Sequence, residues 1–567
     1  MKPRYLIIVL LMSILVISIF ASISVMAEES NPKPGGTLTV ALVAEPKNLN
    51  PYTGAWHSGF VDAQIFNSLL ELDENLQPRP SLAESWKILS DEKAYLFKLR
   101  EGVKWHDGEP LTVDDVKFSF EKIISKYDIF GALYFNNTVV EIVDSRTVKI
   151  KPGVFLPGAQ MLLFASIDTA IVPKHLLEGR DFLKSDFINH PIGTGPFKFK
   201  EWVKGSYIEL VKNEDYWKTG KPYLDKIIVK FVTDPSTLVA SLQAGEVNYV
   251  FRGLPYETYH SLVNNPNLDV IKSVRPPYKM FLSFNLKNPI LSNKLVRKAI
   301  AYALNRTDIA KKATLGICSV TNTWLPESEI TPSPNIKTYE YNPQKAEELL
   351  DEAGYPKGSD GKRFTIELLT RTGEAEEAEI ADLIKNYLEN VGIDIRIKRV
   401  DFGTLLDLTA NFNYDMVLWK SWISTIWQYQ QYTTEWIIHD PFANIYQYSN
   451  PRVDDLFHQW LKEPDPEKQK EILREIDVIL TDDLPQIPLY NVVFLNVKSK
   501  NVKGPDIPVG KYVFWDALEN TYIESTPSQS SQPSGESQGF PIEYIIALAV
   551  VVIIVVAVGI LLYRRRG

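Results

Sequence analysis

The order of hydrophobic and polar residues changes period several times along the chain, and each period predicts one kind of element. Alternating or short apolar runs predict strands at 36–42, 94–99, 139–150, 225–232, 280–286, 364–370 and 393–400. A helical period predicts helices at 60–70, 235–244, 293–304, 342–353 and 375–391. The strand–helix–strand order from 364 onward predicts an α/β fold with parallel strand pairs. Ligands of such folds bind beyond the carboxyl ends of the strands.

Both ends of the chain have the pattern of membrane segments. Lys2 and Arg4 precede an apolar run and then small residues up to Ala27, which predicts a signal peptide at 1–27. Residues 545–562 include no polar side chain, and as a helix they would span about 27 Å, close to the hydrocarbon thickness. We therefore expect a transmembrane helix at 542–563, followed by a cytoplasmic tail at 564–567 that is rich in arginine.

The segment before this helix is a Ser/Pro/Gln linker, and we expect 523–541 to be disordered. The expected product is a single-pass cell-membrane protein whose binding body lies outside the cytoplasm. In an exported body Asn136 and Asn305, which each begin a glycosylation pattern, are candidate acceptors.

Composition and charge narrow the range of functions. The chain of 567 residues has a net charge of −9 and no basic block before its last residues, so nucleic acid is not an expected partner. Cys318 is the single cysteine, which excludes a disulfide within the chain and a metal site built from cysteines alone. No GxSxG, HExxH, Walker or CxxC motif is present. The glycines at 193–195 lack the third glycine of a dinucleotide loop, so we interpret 191–199 as a crossing between domains.

The segment 414–436, called the aromatic segment below, contains four of the chain's twelve tryptophans. Three tyrosines lie among them, and after Asp415 the only charged residues are Lys420 and Glu435. Large rings among glutamines and threonines are typical of a surface that binds a flat, polar ligand. Such rings fit a hydrophobic core equally well, so ligand contact and core packing both stay open.

Five ordered stretches resemble those of one protein family. They are GGTLTVALVAEPKNLNP, YLFKLREGVKWHDGEPLTVDDVKFSFEKI, PIGTGPFKFKEWVKGSYIELVKNEDYW, FNLKNPILSNKLVRKAIAYALNR and YNPQKAEELLDEAGY. By these stretches the chain resembles the family 5 extracytoplasmic solute-binding proteins of ABC importers, the dipeptide- and oligopeptide-binding type. The resemblance covers nearly all of 36–522. A stalk with a C-terminal membrane anchor, and no cysteine near the cleavage point, resembles an archaeal surface layout.

The resemblance implies an α/β, two-lobed periplasmic-binding-protein (Venus-flytrap) fold with an extra subdomain in the first lobe. The first lobe would comprise 28–275, with the subdomain at about 70–190, and would be completed by about 499–522. The second lobe would comprise 276–498. The chain would cross between the lobes twice, so that closure of a hinge traps the ligand between them.

The resemblance also implies a function. The protein would capture an oligopeptide or oligosaccharide in the interlobe cleft and deliver it to the permease subunits of an ABC importer, with the ATPase subunits as indirect partners. It would not be an enzyme and would need no cofactor. The alternatives from other classes are a surface ligand sensor or adhesion module, and a cell-surface hydrolase.

Ligand-binding residues are expected on both sides of the cleft. Family members place the segment after the first strand along the ligand, which indicates Glu45 and Asn48, and Trp56 and His57 follow just beyond. The aromatic segment supplies the second group: Trp419, Trp422, Trp427, Tyr429, Tyr432 and Trp436. No metal site is expected at His57, because no second ligand lies at a metal-binding spacing.

The class of ligand stays open between peptide and sugar. Peptide-binding members of the family bury an aspartate just after the tryptophan-containing strand, where it pairs with the α-amine of the ligand. Here the corresponding stretch, 419–427, has no Asp or Glu, and an unpaired ammonium in a closed cleft costs about several kcal/mol. Oligosaccharide-binding members stack sugar rings on tryptophans, and this segment fits that use at least as well.

Overall fold

Two mixed sheets and one small antiparallel sheet organise the chain. The computed structural model describes residues 34–52, 58–73, 77–128, 131, 134–250, 254–273, 278–327, 330–423, 425–463, 465–504 and 517–524. All of them belong to one compact unit that ends at Glu524. The predicted signal peptide, the linker from 525 onward, the transmembrane helix and the tail lie outside the described residues, as do Trp56 and His57. Within the described ranges no helix is both long and apolar enough to span a membrane.

The strands are β1 Thr37–Leu42, β2 Leu70–Leu72, β3 Pro78–Pro80, β4 Ala83–Leu89, β5 Ala94–Leu99, β6 Val139–Ile142, β7 Thr147–Lys151, β8 Phe197–Val203, β9 Tyr207–Lys212, β10 Lys226–Phe231, β11 Tyr249–Val250, β12 Leu268–Ser273, β13 Tyr278–Phe284, β14 Ser319–Val320, β15 Phe364–Arg371, β16 Ile393–Val400, β17 Met416–Trp422, β18 Gln486–Asn491, β19 Phe494–Ser499, β20 Val502–Lys503 and β21 Tyr522–Ile523. Each strand prediction has a counterpart, and the prediction at 393–400 coincides with β16.

The α-helices of four or more residues are α1 Gly59–Ile65, α2 Val113–Phe118, α3 Pro157–Leu163, α4 Lys174–Leu177, α5 Pro235–Ala244, α6 Tyr259–Leu262, α7 Lys294–Ala303, α8 Arg306–Ala313, α9 Pro343–Glu352, α10 Ala375–Asn390, α11 Phe402–Ala410, α12 Thr425–Tyr432, α13 Pro451–Lys462 and α14 Pro466–Asp483. Local chemistry sets their ends. The Asn342 side chain accepts from the Lys345 N–H at the start of α9, and Gly245 ends α5 with φ 75°.

The first sheet has seven strands in the order β12-β19-β11-β1-β10-β9-β8. Strand β1 lies parallel to β10 and β11, and the remaining neighbours are antiparallel. Strand β19 comes from the end of the body, so the chain has returned to the first sheet by Phe494.

The second sheet has six strands in the order β14-β18-β13-β17-β15-β16. Strand β15 is parallel to β16 and β17, as the strand–helix–strand order predicts. Strand β17 pairs with β13 as far as the Tyr278–Trp422 pair, so it includes both Trp419 and Trp422 of the aromatic segment. A four-stranded antiparallel sheet, β4-β5-β7-β6, lies within the range predicted for the extra subdomain.

The strand registers place the carboxyl edges of both large sheets at the two points where the chain passes between them. Strand β12 ends at Ser273 opposite Phe494, at the end of the sheet where β1 and β11 also terminate. Strand β13 begins at Tyr278 opposite Trp422, the carboxyl end of β17. The two carboxyl edges therefore lie on either side of the crossings, and a ligand site between strand ends is expected there.

The glycines of the loop at 193–195 allow this loop to pack closely against α1. A Cβ on Gly193 would lie 1.9 Å from the carbonyl oxygen of Ile65 in α1, so the loop reaches α1 only without side chains. His106 Nε2 lies 3.0 Å from the Gly195 carbonyl oxygen, and the Gly193 N–H donates to Nδ1 at 3.3 Å. Burial lowers the pKa of His106 to about 4, which keeps the ring neutral in this setting. The loop leads into β8, as expected for a segment that is not a nucleotide site.

Candidate functional site: the facing edges of the two sheets

On the first sheet, the predicted residues follow β1. Glu45 Oε1 accepts from Trp202 Nε1 at 2.9 Å and from the Gly205 N–H at 3.0 Å. The carboxylate thus ties the end of β1 to the β8–β9 turn, and one of its oxygens is already in use. Asn48 is half-buried in the segment that follows. The structure brings Glu45 and Asn48 to the carboxyl edge of this sheet.

On the second sheet, two ion pairs stand where α10 begins and the parallel strands end. Arg371, the last residue of β15, pairs with Glu377, whose side chain is buried. Lys420 Nζ lies 2.7 Å from Glu376 Oε2, and the Tyr490 hydroxyl donates to Glu376 Oε1 at 2.5 Å. The edge is therefore polar, but its charges already neutralise one another.

A third ion pair, Lys279 with Glu327, lies on the opposite face of the second sheet from Lys420, because Lys279 in β13 stands opposite Ser421 in β17. Lys279 has a side-chain exposure of 1% and donates to Thr321 Oγ1 and to the Thr323 carbonyl, both at 2.9 Å. Glu327 lies 3.3 Å from its ammonium and also accepts from Asn491. Burial lowers the pKa of Lys279 to about 8, against the opposing pull of Glu327.

The carboxyl end of β17 forms an aromatic corner, which we define as Trp422, Trp427 and Phe442. The Trp422 and Trp427 ring centroids are 6.3 Å apart at 72°, and Trp427 meets Phe442 at 5.9 Å and 63°. These are edge-to-face arrangements, which aromatic rings favour. All three residues are half-buried, so each keeps some accessible surface.

Other rings of the aromatic segment lie inside the protein. Trp419 is 8% exposed and stands opposite Phe281 in β13. Tyr432 is 1% exposed, stacks on Tyr446 at 5.8 Å, and donates its hydroxyl to Gln486 Oε1. Both rings were expected to touch ligand, but here they have the packing of core residues. For Trp419 the strand period explains this placement, because alternate residues of β17 point to opposite faces. Tyr432 ends helix α12 and is held inside by Tyr446 and Gln486.

Tyr429 and Trp436 lie between the second sheet's helices and the subdomain. The Tyr429 hydroxyl donates to Glu435 Oε1 at 2.6 Å, and its ring meets Trp436 at 6.2 Å. His458 in α13 reaches the same carboxylate oxygen at 3.0 Å. The buried Tyr134, from the subdomain, lies beside Gln430. These residues thus connect the subdomain to the second sheet's helices, away from the strand ends.

Cys318 contacts Tyr256 and Val493 beside the crossing between β18 and β19. Cys318 Sγ lies 3.2 Å from the Tyr256 hydroxyl and accepts from the Val493 N–H at 3.3 Å. Burial raises the pKa of the Cys318 thiol. Cys318 is 7% exposed and packs as a small buried side chain. Among the described residues, no group of three His, Cys, Asp or Glu side chains is arranged to hold a metal ion.

Sequence reasoning missed the ion pairs at the second edge. From the sequence, Lys420 is only one of two charges in the aromatic segment, and no site residue is predicted at the start of the helix at 375–391. A signal did exist, since Glu376 and Glu377 open the helix that follows a predicted parallel strand. First-turn residues after such a strand lie at its carboxyl edge.

Two α/β sheets with facing carboxyl edges, joined by two crossings, define a two-lobed binding protein. The family model of the bacterial extracellular solute-binding proteins, family 5 Middle, matches residues 77–444, and the chain belongs to this family.

Named relatives are similar to this chain over most of its length. The oligopeptide-binding protein AppA of Bacillus subtilis is 31% identical over 526 residues, which is 86% of this chain and 94% of AppA. The structure of AppA in complex with a nonapeptide has a TM-score of 0.71 at 29% identity and covers 87% of this chain and all of that one. DppA of Helicobacter pylori in complex with the peptide STSA has a TM-score of 0.70 at 26% identity and covers 87% of this chain and 99% of DppA.

These likenesses confirm the predicted family and the two-lobed periplasmic-binding-protein fold of mixed α/β type. They also confirm that the chain is a substrate-binding protein of the ABC-importer type, and its family is extracellular. The relatives named here are binding proteins. The lobe boundaries and the ligand-contacting residues stay predictions.

Proposed function

We propose that this protein captures an oligopeptide between its two sheet edges and hands it to the permease subunits of an ABC importer. The observation behind the proposal is the pair of facing edges, which combine half-buried rings with neutralised polar groups. Backbone amides need hydrogen-bonding partners and side chains need apolar surface, and both are present at these edges. The ligands named for AppA and DppA support a peptide for this chain.

For the ligand contacts we propose Asn48, Trp422 and Trp427, and we retain Trp56 and His57 as predictions beyond the described residues. Glu45 fits a positioning role, because it already holds the β8–β9 turn. We propose core roles for Trp419 and Tyr432 and interlobe packing for Tyr429 and Trp436, according to their burial and partners.

The proposal describes a receptor that binds and releases its ligand without chemistry. Glu376 and Glu377, the acids at the second edge, are each engaged by a cation. The oxygens of these carboxylates are already engaged by Lys420, Tyr490 and Arg371, so neither carboxylate stands free beside a ligand as a catalytic acid or base would. A hydrolase of this kind would need two carboxyl groups, one to donate a proton and the other to act as base or nucleophile.

The direct test is isothermal titration of the full chain, purified in detergent, with peptides of two to nine residues and with gluco- and manno-oligosaccharides. We expect heat and a raised melting temperature with peptides, since a ligand that binds only the folded state stabilises it. Mass spectrometry after prolonged incubation should recover the peptide intact. Binding of sugars without peptides would overturn the peptide ligand, and cleaved peptide would overturn the receptor role.

We further propose that 542–563 anchors the protein in the membrane after removal of 1–27, so that the body is held near its permease. The apolar run and the arginines beyond it support this arrangement. In fractionated cells the full chain should stay with the membranes, whereas a chain ending at Glu524 should be released. Release of both forms would contradict the anchor.

A further inference from the structure

We infer that the aromatic corner is a subsite for one large, uncharged apolar side chain of the bound peptide. The inference rests on the proposed function and adds a chemical preference to it. Trp422 ends β17 at the carboxyl edge of the second sheet, where the register with β13 places it beside the crossing. The corner therefore stands where the ligand is expected.

The exposed part of the corner is hydrocarbon. The indole Nε1 atoms of Trp422 and Trp427 are buried, although the two residues as a whole are only half-buried. The polar ring edges thus face inward, and the open part of each ring has no hydrogen-bond donor. An apolar group can cover such a surface, whereas a hydroxyl-rich ligand would find no partner on it.

The neighbouring charges favour an uncharged guest. Lys420 shares the face of β17 with Trp422, two residues earlier, and lies 2.7 Å from Glu376. The second Glu376 oxygen accepts from Tyr490. A charged ligand side chain would have to compete with this pair while losing water.

Burial of a Leu or Phe side chain is worth about 1.5–3 kcal/mol, which corresponds to about 10- to 150-fold in affinity. The test uses the full chain and an alanine pentapeptide host in which each position in turn is Leu, Phe, Lys or Glu. At one position we expect Phe and Leu to bind about 10-fold or more tighter than Ala, with no gain from Lys or Glu.

In Trp422→Ala the preference for Phe and Leu over Ala, taken as the ratio of affinities within the variant, should fall to about 3-fold or less, because the guest loses the ring that covers it. Trp427→Leu provides a second variant that keeps apolar volume. Trp86→Ala is the matched control, because Trp86 is a half-buried tryptophan of β4, and it should keep the full preference.

The outcomes separate the two ideas. Three results with peptides that bind would overturn the subsite and leave the proposed function intact. They are no preference at any position, a preference for a charged guest, and a preference that survives in both corner variants. Failure of every peptide to bind overturns the proposed function itself.

Discussion

The two faces of β17 hold tryptophans in opposite settings. Ser421 accepts from Gln431, so the face that it shares with Trp419 is turned toward α12 and the interior. Lys420 pairs with Glu376, so the face that it shares with Trp422, called the cleft face below, is turned toward α10 and reaches the carboxyl edge of the sheet at Trp422. One strand thus uses the same residue type for folding on one side and, we propose, for binding on the other.

The difference shows that ring density alone does not identify a binding surface. Trp419 and Trp422 are three positions apart in the same aromatic segment. Because alternate residues of a strand point to opposite faces, the two rings lie on opposite faces of β17. This comparison predicts that loss of the ring on the interior face mainly lowers the free energy of unfolding, whereas loss of the ring on the other face mainly changes ligand binding.

The largest effect is expected for Trp419→Ala. Removal of a buried tryptophan costs about 3–5 kcal/mol of unfolding free energy, because it leaves a cavity beside Phe281. Chemical denaturation of the full chain should show this loss, and Trp422→Ala, the control on the other face, should cost less than about 1.5 kcal/mol. Equal losses in the two variants would abolish the distinction between the faces.

The second prediction uses a lysine on the interior face. Lys279 stands opposite Ser421, and burial lowers its pKa to about 8 from an ordinary value of 10.5. Between these values the unfolded chain binds more protons than the folded one, so stability rises with pH. The gain is about 3 kcal/mol from pH 8 to 10.5.

Urea denaturation at several pH values should show this rise, and Lys279→Met should remove it. The control is Lys420→Met, on the cleft face, which should leave the rise in place. A rise that persists in Lys279→Met would mean that another group produces it.

The sequence predicted the elements well, since helix and strand periods depend only on local patterns. The helix at 235–244 and the strand at 393–400 coincide with the observed elements. The burial of Tyr432 could not be predicted from the sequence, because it depends on Tyr446 and on Gln486, which lies 54 residues further along the chain, and no local pattern reports either contact. The pairing of Lys420 with Glu376 likewise spans 44 residues and forms only in the folded sheet.

That pairing leads to the third prediction. The Lys420 and Glu376 side chains are 24% and 16% exposed, so removal of one partner leaves a partly buried charge and costs about 1–2 kcal/mol. The double variant Lys420→Met/Glu376→Gln should recover part of the loss. A double-mutant cycle on unfolding free energy measures the coupling, and we expect about 1 kcal/mol. Strict additivity would show that the pair is not formed in solution.

The smallest effect is expected when the ligand is changed, by acetylation of the peptide's N-terminus. Residues 416–434 have no Asp or Glu, and Glu376 at the neighbouring helix is already held by Lys420 and Tyr490. A free α-ammonium therefore gains little at the end of β17, and acetylation of the peptide's N-terminus should change the dissociation constant by less than about 3-fold. A carboxylate partner would make the change far larger, since truncation of one member of a buried charge pair costs about 2–5 kcal/mol. Titrations with matched acetylated and free peptides measure the ratio, and C-terminal amidation serves as the control modification. A loss above about 30-fold on acetylation alone would place a carboxylate against the ammonium, and the cleft face of β17 would then not be the neutral surface that its ion pair indicates.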